Sequence, residues 1–209
     1  MKPFTSSILD QCSAAIAELN LTRQRRGLLV WQLNAYMTGA INLAKRDYPD
    51  QTVVIEPYPQ VYWHPINQIL AVGMRRKYSR FQQPTRSRLW SPLFFDKPWF
   101  EFHPNNDPID TINALRQFTT SHLIPKVLDM ANETDILRKT QRDIKSGGAN
   151  PEKCLAISIW QNRTVDLDHV FQSIFKELEH DQYKNSFTEF YDTVRQSEDI
   201  AQLLASKSN

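Results

Sequence analysis

The chain has 209 residues, of which 41% are hydrophobic, 23% charged and 11% aromatic. Such a length suits one large domain or one with a small appendage, and the composition excludes wholesale disorder, collagen and a disulfide miniprotein. The net charge of +2 divides unevenly: residues 1–95 hold 12 Lys+Arg against 5 Asp+Glu, a balance of +7, and residues 96–209 hold 13 against 18, a balance of −5.

The longest apolar runs, such as 28–31 and 93–95, are far shorter than the roughly 18 residues of a membrane span, so no bilayer crossing is expected. The start, Met1-Lys2-Pro3-Phe4-Thr5, lacks a signal-peptide apolar stretch, and Cys12 and Cys154 make no disulfide framework. Both features predict a cytoplasmic protein.

Residues 6–20 predict an opening helix, capped by Ser6 or Ser7, with Ile8, Cys12, Ala15, Ile16 and Leu19 on one stripe. Arg23-Gln24-Arg25-Arg26-Gly27 breaks that pattern, and 28–33 is short, apolar and β-favouring, so a first strand is expected near Gly27. Thr38–Ala44 and Thr52–Glu56 are further strand candidates, joined by a polar, turn-forming stretch over 45–50. An antiparallel meander is the economical arrangement.

Pro57, Pro59 and Pro65 are dense enough to make 57–65 an edge strand or a loop, because each proline removes a ladder donor. Pro65 then fits the first turn of a helix that carries Ile66, Ile69 and Leu70 and ends at Gly73. Residues 89–102, rich in Trp and Phe around Pro92 and Pro98, read as two short strands or one strand and a covering loop.

From 107 the pattern is helical. Asp107 serves as cap and Pro108 lies in the first turn, with Ile109, Ile112, Leu115 and Leu123 on the repeat; Pro125 is expected to kink or end that helix. Thr134-Asp135 predicts another helix reaching about Lys145, and Ser146-Gly147-Gly148 is the linker candidate. Helices are then expected from Asn150-Pro151, from Asp166 or Asp168, and over 183–195, with a frayed end at 206–209. The predicted fold is α+β: an N-terminal helix on a mainly antiparallel sheet of about four to six strands. Residues 1–145 would form this core, and 150–209 a helical extension packed on it or part of one single domain.

Catalytic and cofactor signatures are missing from the sequence. The five histidines form no helical three- or four-residue pair, so no metal site is announced. With five glycines, neither GxGxxG nor GxxxxGK[ST] occurs, and GxSxG and HExxH are absent too. The pairs Asp107/Asp110 and Asp166/Asp168 and the cluster Glu177/Glu179/Asp181 are accounted for by capping and solvation. Both cysteines lie in apolar stretches, where a small buried hydrophobe is the default. No cofactor is expected.

One segment could carry binding chemistry. No acidic residue occurs between Glu56 and Asp96, and Arg75, Arg76, Lys77, Arg80, Arg86 and Arg88 fall together there, interleaved with Tyr78, Phe81 and Trp90. Cations hold phosphates and aromatic rings stack on bases or anchor protein interfaces. The competing account is a solvated loop whose arginines pair with the acidic second half and whose rings belong to the core.

The order of Gly27–Leu33, Gly39-Ala40-Ile41-Asn42-Leu43 and Val54-Ile55-Glu56-Pro57, followed by His64-Pro65-Ile66 and a helix with Ile124-Pro125, resembles bacterial domains of unknown function, over about residues 5–195. The resemblance implies a bacterial, cytoplasmic, single-copy domain and carries over no catalytic residue. The expected function is a non-catalytic interaction protein, with an immunity or defence role as its setting, that binds a protein through the basic and aromatic surface of 58–102. A nucleic-acid-binding accessory protein is the alternative. An enzyme assembled from distant groups such as His64, His103 and Glu101 is the third reading.

Overall fold

The structure is a computed structural model that describes residues 4–87, 99–145, 150–161, 167–178 and 180–206. It is an α+β protein with an N-terminal helix, an antiparallel sheet and a helical second half. Contacts divide the chain into two compact units, Met1–Tyr62 with Arg86–Ala131, and Trp63–Thr85 with Asn132–Asn209. Among the described residues no helix is long and apolar enough to cross a membrane.

The first unit opens with α1 (Phe4–Ala17), whose Ile8, Cys12 and Ile16 are fully buried. The expected cap lies inside this helix: the Ser7 hydroxyl accepts a hydrogen bond from Gln11 at 2.9 Å. A hairpin follows, β1 (Thr22–Arg25) and β2 (Leu28–Gln32), turning at Gly27 with φ of 77°. Only glycine suits that turn, because a Cβ there would meet the Leu43 carbonyl oxygen at 2.7 Å. The sequence reading placed no strand at β1, since all four of its residues are exposed and none is apolar.

Strands β3 (Met37–Asp47) and β4 (Val53–Trp63) continue the meander, and the order across the sheet is β1-β2-β3-β4-β5. The last position is shared. Strand β5 (Arg86–Ser87) pairs with Gln60 and Val61, and β6 (Phe100–Phe102) with Val53, Val54 and Ile55, both antiparallel to β4. The stretch 57–63 is therefore an interior strand, which corrects the edge-or-loop expectation. Pro57 and Pro59 fall between the two paired stretches, so neither removes a described ladder bond on that edge. One sheet face presents Leu29, Ile41, Leu43, Val53, Ile55 and Phe102 to a core completed by α1 and by Ile112, Leu115 and Leu123.

Those last residues lie on α3 (Ile109–Phe118) and the five residues that follow it. The Asp107 carboxylate accepts the Ile109 amide at 3.0 Å, while Ile109 itself is exposed rather than on the core stripe. Pro125 does not end the helix. A π-turn over Thr119–Leu123 widens it, with the Ile124 amide donating to the Thr119 carbonyl, and α4 (Ile124–Met130) continues with its proline in the first turn. The Thr119 hydroxyl is buried there without a hydrogen-bond partner among the described residues.

The second unit is helical: α2 (His64–Gly73), α5 (Glu133–Lys145), α6 (Pro151–Gln161), α7 (Leu167–Phe175), α8 (Asp181–Arg195) and α9 (Glu198–Ser206). Helix α6 is its axis, buried from Cys154 to Trp160 without a polar face and packed against α2, α5, α7 and α8. Asn132 caps α5, its side-chain oxygen accepting the Asp135 amide at 3.1 Å. The linker expected at Ser146-Gly147-Gly148 lies outside the described residues.

Candidate functional site

Helix α2 needs its first amides satisfied and its last carbonyls closed, and the 74–85 segment does both. At the start, the Trp63 amide donates to Thr85 Oγ1 at 2.7 Å, and Thr85 donates to Asn67 Oδ1 at 2.9 Å. Asn67 Nδ2 in turn donates to the Gln83 carbonyl at 3.0 Å, and the Lys153 ammonium of α6 to the Thr85 carbonyl at 2.9 Å. At the far end the Arg75 amide meets the Val72 carbonyl at 2.9 Å and the Arg76 amide the Ala71 carbonyl at 2.7 Å. That pairing is a Schellman closure whose left-handed residue is Arg75, with φ of 53°.

The helix ends at Gly73 as expected, but Gly73 itself is not the left-handed residue. Its role is space: a Cβ there would lie 2.2 Å from the Phe190 ring of α8. The strained position belongs to Arg75, where glycine would be preferred. Arg75→Gly is expected to raise stability by about 0.5–1 kcal/mol, read as a higher urea midpoint; an unchanged or lower midpoint would show that the arginine conformation is not strained.

Between these anchors Arg75, Arg76, Lys77 and Arg80 are exposed and Tyr78 and Phe81 are half-buried. Elsewhere arginines meet carboxylates, as Arg23 does Asp10 at 2.6 Å, Arg46 Glu56 at 3.0 Å and Arg195 Asp168 at 3.3 Å. Arg75, Arg76 and Lys77 make no ion pair among the described residues. Arg80 Nε donates to His64 Nε2 at 3.3 Å, so the neutral imidazole carries its proton on Nδ1 and donates it to Tyr78 Oη at 3.1 Å. The Arg80 guanidinium also lies 5.5 Å over the Phe81 ring, and Phe81 meets His64 edge-on at 6.0 Å.

Burial, and then the Arg80 charge, push His64 down from 6.5 to about 4; burial raises Tyr78. Because the unfolded imidazole takes its proton near 6.5 and the folded one resists it, this contribution is complete above pH 6.5 and is lost as pH falls toward 4. The expected loss is about 1–2 kcal/mol, allowing for the solvent-facing edge of the ring. Urea unfolding at pH 7 and at pH 4.5 checks it: the wild type should lose that much more than His64→Gln, and equal losses would refute the assignment.

Arg75, Arg76, Lys77, Tyr78, Arg80 and Phe81 therefore share one turn of the second unit. Arg86 lies on β5 of the first unit, while Arg88 and Trp90 lie outside the described residues. Sequence reasoning missed Asn67, Thr85 and Lys153; the polar Asn67 on an otherwise apolar stripe was a signal for the first, and nothing near Lys153 points to a segment 68 positions earlier.

The alternatives are poor in chemistry. The His103 ring meets Thr52 Oγ1 at 3.1 Å and belongs to the first unit with Glu101, whereas His64 belongs to the second. Ser121 and His122 are 2.7 Å apart, yet the Ser121 hydroxyl proton goes to the Gln117 carbonyl at 2.8 Å, so the imidazole is the donor and no activated nucleophile results. Burial raises the Cys12 thiol to about 12 and Cys154 to about 11. Among the described residues no three His, Cys, Asp or Glu side chains group as a metal site. Comparison with protein-family models, with curated proteins and with solved structures finds no match to this chain.

Proposed function

We propose that this protein is a non-catalytic binding protein whose 75–80 turn docks on an anionic surface of a protein partner. The observation that carries the reading is the row Arg75-Arg76-Lys77: three successive exposed cations, with no carboxylate partner among the described residues, on a turn closed at both ends. Arg75 keeps its charge at a backbone position that favours glycine, a local strain of the kind that accumulates where function requires it. A rigid turn presents charge without the ordering entropy of a loose loop, which favours tight and orientation-specific docking.

A nucleic-acid strand is the poorer fit. Tyr78 is half-buried and bonded to His64, and Phe81 packs between His64 and Arg80, so these rings are engaged within the protein rather than set as stacking platforms. The test is capture from a bacterial lysate at low and high salt, with and without nuclease treatment, with wild type and Arg75→Ala/Arg76→Ala/Lys77→Ala. A protein retained at low salt should be lost by the triple variant, with affinity down at least tenfold, about 1.4 kcal/mol. Equal capture by both, or capture that disappears with nuclease, would overturn the reading.

A further inference from the structure

The basic turn borders a hollow of about 80 Å³ within the second unit. The hollow is large enough to seat a tetrahedral oxyanion. Its wall carries the cations Arg76, Lys77 and Lys153 and the neutral polar groups of Asn67, Ser79 and Gln83; among the described residues no carboxylate lines it. Two of these groups are fixed before any ligand arrives. Asn67 is held by Thr85 and Gln83, and the Lys153 ammonium is anchored on the Thr85 carbonyl at 2.9 Å.

We propose that this hollow seats a phosphate monoester. The proposal rests on the reading of the turn as a docking surface and names the group that the surface selects. Three cationic residues lining one hollow suit a dianion better than a single carboxylate, and hydroxyl and amide groups supply the further hydrogen bonds that a tetrahedral oxyanion accepts. A diester backbone would call instead for cations spaced along a track. Phosphoryl groups reach such a seat either on a protein side chain or as a free small molecule, and the probes separate these sources.

The experiment is a titration of the full chain, followed by amide NMR, with inorganic phosphate, O-phosphoserine, a phosphoserine peptide and the same peptide carrying glutamate. Shifts should concentrate on 76–83 and around Lys153, with the phosphoserine peptide binding at least tenfold more tightly than its glutamate form and than inorganic phosphate. Preference for the free anions over the peptide would overturn the protein-borne source, and an oligonucleotide binding more tightly than any monoester would overturn the monoester itself. Lys153→Gln and the fully exposed-site variant Arg76→Gln should each weaken phosphate at least tenfold. Shifts scattered over surface cations, or phosphate binding untouched in Arg76→Gln, would refute the seat. If phosphate fails to bind while the triple variant still loses its protein partner, the seat is wrong and the docking surface stands; if phosphate binds but no partner depends on 75–77, the reverse holds.

Discussion

Trp160→Ala is expected to destabilise the second unit by about 3–5 kcal/mol, the range for deleting a fully buried aromatic. Trp160 is 1% exposed and sits on the helix against which α2, α5, α7 and α8 pack, so no single neighbour can swing in to fill the void. The α7 and α8 helices that pack on α6 carry rings stacked on one another: Phe171 lies 5.1 Å from Phe187 and 4.2 Å from Tyr191. Urea unfolding followed by far-ultraviolet circular dichroism measures the loss. A cost below about 1 kcal/mol would mean that the α6 helix is not the axis of this unit.

Gly73→Ala should cost about 1–3 kcal/mol, although alanine is the better helix former and would otherwise stabilise the site by roughly 1 kcal/mol. The opposing term is steric. The added methyl would lie 2.2–2.7 Å from three atoms of the Phe190 ring, and Phe190 is itself 3% exposed, so the ring has no solvent to retreat into. Phe190→Leu in the same chain should recover part of the loss, giving a coupling energy of about 1 kcal/mol between the two positions. Additive effects in the double variant, or a stabilised Gly73→Ala, would contradict the close approach of α2 and α8.

What could be read from the sequence was whatever left a periodic apolar trace. Ile8, Cys12 and Ile16 announced α1, the apolar, β-favouring runs at 28–33, 38–44 and 52–56 announced strands, and Pro65 marked the first turn of α2. Strand β1 left no trace because it is a polar edge strand, paired with β2 and tied to α1 through Arg23 and Asp10. The interior position of Pro57 and Pro59 was equally hidden, since it depends on where β5 and β6 join β4, a pairing between residues 25 to 50 positions apart. The basic turn was visible as composition, but its architecture was not. Arg75 takes the left-handed conformation, while Gly73 is needed for the space beside Phe190, more than 100 residues later, a contact that local sequence does not announce. Likewise the neutral state of His64 follows from burial of the ring first and from the nearby Arg80 charge second, neither of which spacing alone specifies.

The wide turn before Pro125 has a meaning in angular terms. Leu115, Thr119, Leu123 and Val127 are all buried at uniform four-residue steps. At about 100° per residue, twelve residues of ordinary helix advance about a third of a turn too far, which would rotate Val127 off the line that Leu115 begins. One π-turn absorbs about one residue and restores the phase, leaving a drift of about 20°. Helices α3 and α4 are, in this sense, a single helix of normal pitch with one residue to spare. Removing that residue would keep the buried line intact but would set Pro125 inside an unbroken α-helix, so the surplus residue and the proline can only be kept or discarded together.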